Sequence, residues 1–337
     1  MTPSRVPAPI GITLGDLNGI GPEVALKAVR DFPWPASARF VLIGPAAALV
    51  DQAFRFRCPL PPPWTPGRTF PRGSVALWDV GRDARLRWTP GRVTAAAARA
   101  ADAALRAAVE AARAGHLSAV VTAPICKEGF QRAGLGAAGH TERLAEWTRT
   151  RRVAMLLEGG GLRVALVTRH LPLRHVARAI TRAAVRETIA LAAEALRWLG
   201  IPRGRMAVCG LNPHAGDGGA LGSEERAVIA PEIRAARRRG IRVVGPVPAD
   251  IVFHQALHGR HDLIIAHYHD QGLGPLKTVG FDGGVNITLG LPIVRTSPDH
   301  GTAFDIAGRG LASPRSMVAA IQRAIELAAR PNPWRTP

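Results

Sequence analysis

Strand-length apolar runs, separated by helical stretches rich in alanine, leucine and arginine, most restrict the folds open to this chain. The runs fall at 9–14, 39–44, 118–122, 162–168, 205–210, 241–244, 262–267 and 285–289. They are short and continuously apolar, the pattern of strands covered on both faces. Helical patterns at 22–30, 94–115, 182–199, 223–240 and 314–330 lie between or beyond many of them. Crossover helices between successive parallel strands satisfy this order, so the sequence predicts an α/β fold with mostly parallel, helix-covered sheets. Its 337 residues leave room for two such layered domains at about 150 residues each. The proline-rich segment 57–72 predicts a surface loop, because proline cannot donate to a strand ladder. Nothing in the middle reads as a linker, which favours a discontinuous arrangement in which the chain crosses once and returns.

Composition excludes several function classes. No stretch approaches the roughly 20 uninterrupted apolar residues of a membrane helix, and the amino-terminal residues lack a signal-peptide core, so a cytoplasmic protein without membrane contact is expected. Cys58, Cys126 and Cys209 lie far apart and form neither a disulfide framework nor a zinc ribbon. The formal charge of +19 invites a nucleic-acid reading. Its distribution argues otherwise. Of 44 basic residues only Lys27, Lys127 and Lys277 are lysines, and the arginines are scattered through alanine-rich helical patterns with no basic stripe interleaved with aromatics. No nucleic-acid partner is therefore expected.

The densest chemistry runs from His267 to Gly310, where histidines, Lys277, Asn286 and Arg295 share one glycine-rich stretch. A lysine, an arginine and an amide donor suit phosphate or carboxylate oxygens. His269 follows the apolar run Leu263–Ala266, and open α/β sheets bind ligands at the carboxyl ends of their strands.

Four further stations repeat this placement. In GITLGDLNGIGPE a strand runs through Gly15 and Asp16 to a helix opened by Pro22, with glycine spacing that does not match a dinucleotide fingerprint. In TAPICKEGFQRAGLGAAGHTE, Lys127 opens one helix, and His140 and Thr141 open another, where an imidazole could meet an anion at the helix end. Thr141 read alone is equally a helix cap. His170 and His214 each follow another strand. One histidine at a strand end is ordinary; three of them, His170, His214 and His269, compose a donor set for zinc, cobalt or a similar divalent ion with positions left open.

Together GDLNGIGPE, TAPICKE with GHTE, NPHAGDGG with GSEE, YHDQG, and GVNITLGLPIVRTSPDHGTAFDIAGRG resemble the 4-hydroxythreonine-4-phosphate dehydrogenases of pyridoxal phosphate biosynthesis, in order from about Gly11 to Gly310. The resemblance implies metal ligands at His170, His214 and His269, with His267 as a neighbour. It implies substrate contacts at His140, Thr141, Lys277, Asn286 and Arg295, and gives Asp250, Asp270 and Lys277 as supporting or catalytic candidates. No cofactor-contacting residue is assigned. The implied fold has two α/β/α domains around a cleft, like isocitrate and isopropylmalate dehydrogenases. A discontinuous first domain is expected at 1–125 plus 300–337 and a second at 126–299, in a homodimer whose active site draws metal ligands from both subunits.

The implied reaction is NAD(P)-dependent oxidation of the C3 hydroxyl of 4-phosphooxy-L-threonine, then decarboxylation to 3-amino-2-oxopropyl phosphate. Zinc, magnesium or cobalt would act as Lewis acid toward the alcohol. Lys277, a histidine or water could take the proton. Two departures stand out: GDLNG replaces the commoner GDPAG, and Cys126, expected to be a small buried residue, stands where asparagine is usual. They leave open relatives acting on phosphorylated threonate or erythronate, or on a cyclic dihydrodiol. A metal-dependent hydrolase, needing no nicotinamide, is the alternative from another class.

Overall fold

The alternation read from the sequence is realised in the computed structural model, which describes residues 8–55, 57–71, 74–81, 87–136 and 138–335. In chain order these form β1 (Ile10–Thr13), α1 (Gly21–Asp31), β2 (Phe40–Gly44), α2 (Ala46–Arg55), β3 (Val75–Asp79), α3 (Ala95–Arg113), β4 (Ala119–Thr122), α4 (Lys127–Arg132) and α5 (His140–Trp147). There follow β5 (Ala154–Gly159), β6 (Leu162–Leu166), α6 (Leu173–Ala179), α7 (Arg182–Trp198), β7 (Met206–Cys209), α8 (Ala230–Arg238), β8 (Val243–Val247), α9 (Ala249–Leu257), β9 (Leu263–Ala266), α10 (His269–Gly280) and β10 (Val285–Leu289). The chain closes with β11 (Arg295–Pro298) and α11 (Arg315–Ala328).

Two compact units result, one built from the described residues up to Thr150 and from Leu291 onward, the other from Arg151–Gly290. Residues 126–150 and 291–299, which the sequence groups with the second domain, lie in the first unit. The attachment of 126–150 is physical: α4 packs on α3, and Arg143 of α5 pairs with Asp102 of α3 at 2.8 Å.

In the first unit the strand order is β3-β2-β1-β4-β11, parallel at every step. Helix α3 packs on β1, β2 and β4, and α11 on β4 and β11. Local chemistry sets the helix starts. Thr94 accepts the Ala97 amide at 3.2 Å and so caps α3, while Pro22 occupies the first turn of α1, where a missing N–H costs nothing. Gly15, at φ +66°, lies so close to the Pro124 carbonyl that an added Cβ would stand 2.2 Å from its oxygen. The β1–α1 turn therefore requires glycine there. Residues 57–71 of the proline-rich segment are largely exposed, as expected. Its Trp64 is nevertheless buried, with Pro63 bridged to Leu77 of β3.

The second unit has the order β10-β5-β6-β9-β7-β8, antiparallel over β10-β5-β6 and parallel from β6 onward. Alternate residues of the central strands, Val164 and Leu166, Ile264 and Ala266, Ala207 and Cys209, share one core with Val252 and Phe253 of α9 and Leu273 and Leu276 of α10. Each fully buried aliphatic side chain of that set contributes about 1.5–3 kcal/mol of transfer free energy. This core fixes α9 and α10 against the strands whose ends carry the histidines.

Candidate active site

Strands β6, β9 and β7 are neighbours in that order and run parallel, so their carboxyl ends lie side by side. His170, His269 and His214 follow those three ends. The ends are tied together by polar bonds beyond the ladder. Thr168 donates from its amide (3.0 Å) and its hydroxyl (2.7 Å) to the His267 carbonyl. His267 Nε2 donates to the Cys209 carbonyl at 2.7 Å. Gln271 accepts the His267 amide through Oε1 and donates through Nε2 to the Gly210 carbonyl, both at 2.7 Å. Burial holds the His267 imidazole down at about 4, with the Cys209 hydrogen bond opposing in part. It is a neutral clamp, and its Nδ1 is buried without a partner.

The His170 and His269 ring centroids are 5.5 Å apart. Two imidazoles binding one tetrahedral ion at about 2.0–2.1 Å have centres roughly 5 Å apart, so the pair has the spacing of shared ligands. His269 Nδ1 is 2.7 Å from the Asp270 carboxylate, which as an acceptor fixes the N–H there and leaves Nε2 as the ligating atom. Both rings are accessible to solvent.

His214 sits in a different local conformation. From His214 to Gly218 every residue has positive φ, including the non-glycines His214 (+52°), Ala215 (+56°) and Asp217 (+42°). Such residues cost free energy in the left-handed region, and buried Glu225 holds the turn. Its Oε1 accepts the amides of Leu211 (2.8 Å) and Asn212 (2.7 Å). Although burial acts to raise it, these hydrogen bonds draw the Glu225 carboxyl below its ordinary value. Among the described residues, no group of three or more His, Cys, Asp or Glu side chains of the single chain is arranged to hold a metal ion. His170 and His269 are thus brought together, and His214 does not complete a trio with them within one chain. Asp250 is exposed in the first turn of α9. Lys277 is half-buried in the last turn of α10, and Asn286 of β10 has its Oδ1 buried without a partner.

In the first unit, His140 opens α5, with Thr141 buried behind it. Its Nε2 is buried and unpartnered. Burial, and then the charges of Arg295 and Arg143, hold this imidazole well below its ordinary value, so it is neutral. Arg295 on β11 is only 2% exposed, and its Nη2 and Nε donate to Thr122 Oγ1 at 2.7 and 3.2 Å. Burial lowers its guanidinium to about 9 despite the nearby Glu142. Lys127, at the start of α4, approaches Gly139 at the cap of α5. A neutral imidazole with a free nitrogen, flanked by fixed cations at a helix amino terminus, is chemically suited to an anion.

Some functional side chains had no clear signal in the sequence. Gln271 and His267 act through backbone carbonyls 58 to 61 residues away. Asp16 is buried with Oδ2 unpartnered, and burial raises its carboxyl to about 6. The two departures from the expected motif also have structural roles. Buried Asn18 accepts the Thr89 amide and donates to the Arg92 carbonyl and Thr94 Oγ1. Cys126 is half-buried, and it caps α4 by accepting the Gly129 amide at 3.4 Å. The expectation of a small buried residue there gives way to a cap, for which sulfur is a weak acceptor.

Parallel β-strands with covering helices and ligand-type side chains at the strand ends define an α/β protein of the class that binds its ligand at the carboxyl ends of its strands. Residues 39–324 match the family described as pyridoxal phosphate biosynthetic protein PdxA, and the chain belongs to that family. It is 43% identical over 328 residues to the 4-hydroxythreonine-4-phosphate dehydrogenase of Geobacter metallireducens, covering 95% of each chain. It is 42% identical over 329 residues to an Oceanobacillus iheyensis protein provisionally named D-threonate 4-phosphate dehydrogenase, covering 95% and 97% of the two chains. The crystal structure of 4-hydroxythreonine-4-phosphate dehydrogenase from Klebsiella pneumoniae superposes with a TM-score of 0.83 at 38% identity, over 95% of this chain and 99% of that one. No helix among the described residues is long and apolar enough to cross a membrane.

Proposed function

We propose that the protein oxidises the C3 hydroxyl of 4-phosphooxy-L-threonine with NAD or NADP, and that the product decarboxylates to 3-amino-2-oxopropyl phosphate. The observation that carries this reading is the His170–His269 pair, 5.5 Å apart at the ends of adjacent strands, with His269 oriented by Asp270. That donor set fits a divalent ion such as zinc or cobalt, with magnesium less suited to imidazole. His214 would supply a third imidazole, and a homodimer in which subunits share ligands would reconcile three histidines with the pair found in one chain.

An ion held by His170 and His269 would supply Lewis acidity toward the substrate alcohol, and a bound nicotinamide would supply the hydride acceptor. The chain's own residues do the rest. Asp270 fixes the His269 tautomer, and His267 with Gln271 holds the strand ends that set the spacing of His170 and His269. His140, Thr141, Lys277, Asn286 and Arg295 are assigned to the substrate's phosphate and carboxylate. The unpartnered Nε2 of His140 would bond an anion oxygen as an N–H donor, whereas the unpartnered Oδ1 of Asn286 can only accept, so a donor such as the substrate's amine or hydroxyl would complete it. Proton removal from the hydroxyl is assigned to Lys277, a histidine or water, and Asp250 to a supporting position.

One second reading has a specific basis. The Oceanobacillus relative named for D-threonate 4-phosphate is as similar as the threonine-phosphate enzymes, and the two substrates differ at C2, where one carries an amine and the other a hydroxyl. A panel of 4-phosphooxy-L-threonine, 4-phospho-D-threonate, 4-phospho-D-erythronate and a cyclic dihydrodiol, each with divalent metal and followed by nicotinamide reduction, tests the assignment. Turnover of the first above the others is expected, with loss on chelation. Preference for another member would reassign the substrate, and hydrolysis without nicotinamide would overturn the dehydrogenase mechanism.

A further inference from the structure

The carboxyl-terminal turn of α9 carries two histidines outside the site described above. His254 and His258 are four residues apart, which places them on one helix face. Their ring centroids are 4.1 Å apart with planes inclined at 34°, about 1 Å closer than two imidazoles on one ion, and both side chains are exposed, so His254 can turn outward about its χ angles to the chelating spacing. The His258 amide donates to the His254 carbonyl at 3.1 Å, so the helical turn persists to the cap. The same carbonyl lies 2.8 Å from His258 Nδ1. A carbonyl only accepts, so Nδ1 must carry the proton, and Nε2 keeps its lone pair. This bond plays the part that outer partners play for metal-bound histidines, fixing tautomer and ring direction before any ion arrives.

We propose that His254 and His258 form a two-imidazole chelate for a borderline divalent transition metal of the Cu2+, Ni2+ or Zn2+ class, with water in the remaining positions. Imidazole pairs favour these ions over magnesium or calcium, which require oxygen ligands. The site is distinct from the strand-end histidines. Helix α9 starts where β8 ends and finishes just before β9 begins, so its last turn lies toward the amino ends of the strands, opposite His170 and His269. The nearby His261 takes no part, since its Nε2 is engaged with Gln255 Oε1 at 3.1 Å.

Equilibrium titration of the full-length protein with Ni2+, comparing wild type with His254→Asn, His258→Asn and His116→Asn, tests this. His116 is a single exposed imidazole and serves as control. Each single change in the pair should weaken one class of Ni2+ site about 100-fold, because chelation needs both rings, while His116→Asn changes nothing and dehydrogenase activity is kept. In the wild type, Ni2+ should broaden the ring signals of His254 and His258 together and ahead of those of His116. Wild-type Ni2+ affinity in either variant, or broadening of only one of the two rings, would overturn the proposal.

Discussion

His267 Nε2 donates to the Cys209 carbonyl at 2.7 Å, joining the end of β9 to the end of β7 at the level where the ligand-type histidines leave the sheet. The imidazole is fully buried and, with a value of about 4 in place of 6.5, stays neutral when folded. Once unfolded it protonates at the ordinary histidine value. Its contribution is therefore whole above about pH 6.5 and is lost as pH falls toward 4, amounting to about 3 kcal/mol. Urea unfolding from pH 7 to 4 should show this loss in the wild type and a flatter dependence in His267→Asn. An equal slope in both would remove His267 from the account. Neutral, buried His140 acts in the same direction.

Asp16 gives the opposite sign. Its folded value of about 6 exceeds the ordinary carboxyl value of 3.8, so its stability contribution is present below the unfolded value and lost as pH rises through 6. Asp16→Asn should gain up to about 3 kcal/mol at pH 8 and nothing near pH 3.5. Chemical denaturation at the two pH values checks it, and equal effects at both would show that burial of the charge is not the cause.

The α/β class and most of the strand ends were legible because buried parallel strands leave apolar runs that need no partner to be recognised. Three strands were not read. β11 is Arg-Thr-Ser-Pro, a polar sequence buried because Arg295 finds Thr122, 173 residues earlier, and no local pattern encodes that pairing. β3 follows the proline-rich segment, whose turn residues mask it. β5, the third, forms a hairpin with β6, itself read at 162–168, across Gly160 and Gly161, both at positive φ; the GGG run was a readable signal for it. At the site, strand ends could be read along the chain, but the order β6-β9-β7 that places His170 beside His269 could not.

Asp270 is 88% exposed while holding His269, so its substitution should separate tuning of the ligand from folding. Asp270→Ala is expected to weaken metal binding about 10-fold or more and to change stability by less than about 0.5 kcal/mol. Metal titration beside thermal unfolding tests it. Unchanged affinity would mean that the carboxylate does not orient the ring.

Thr122→Val keeps the shape of a buried side chain and removes the hydroxyl that accepts two bonds from Arg295. A loss of about 1–3 kcal/mol is expected, together with a raised KM for the phosphorylated substrate. Full stability with unchanged KM would detach Arg295 from substrate binding.

The central claim is that His170 and His269 hold the ion on which turnover depends. Metal content and nicotinamide reduction, measured on the same preparations of wild type, His170→Ala and His269→Ala, test it most directly. Both quantities should fall together in each variant, with the far-ultraviolet circular dichroism unchanged. Wild-type turnover in a variant that has lost its metal, or full metal retention in a folded variant that has lost turnover, would contradict it.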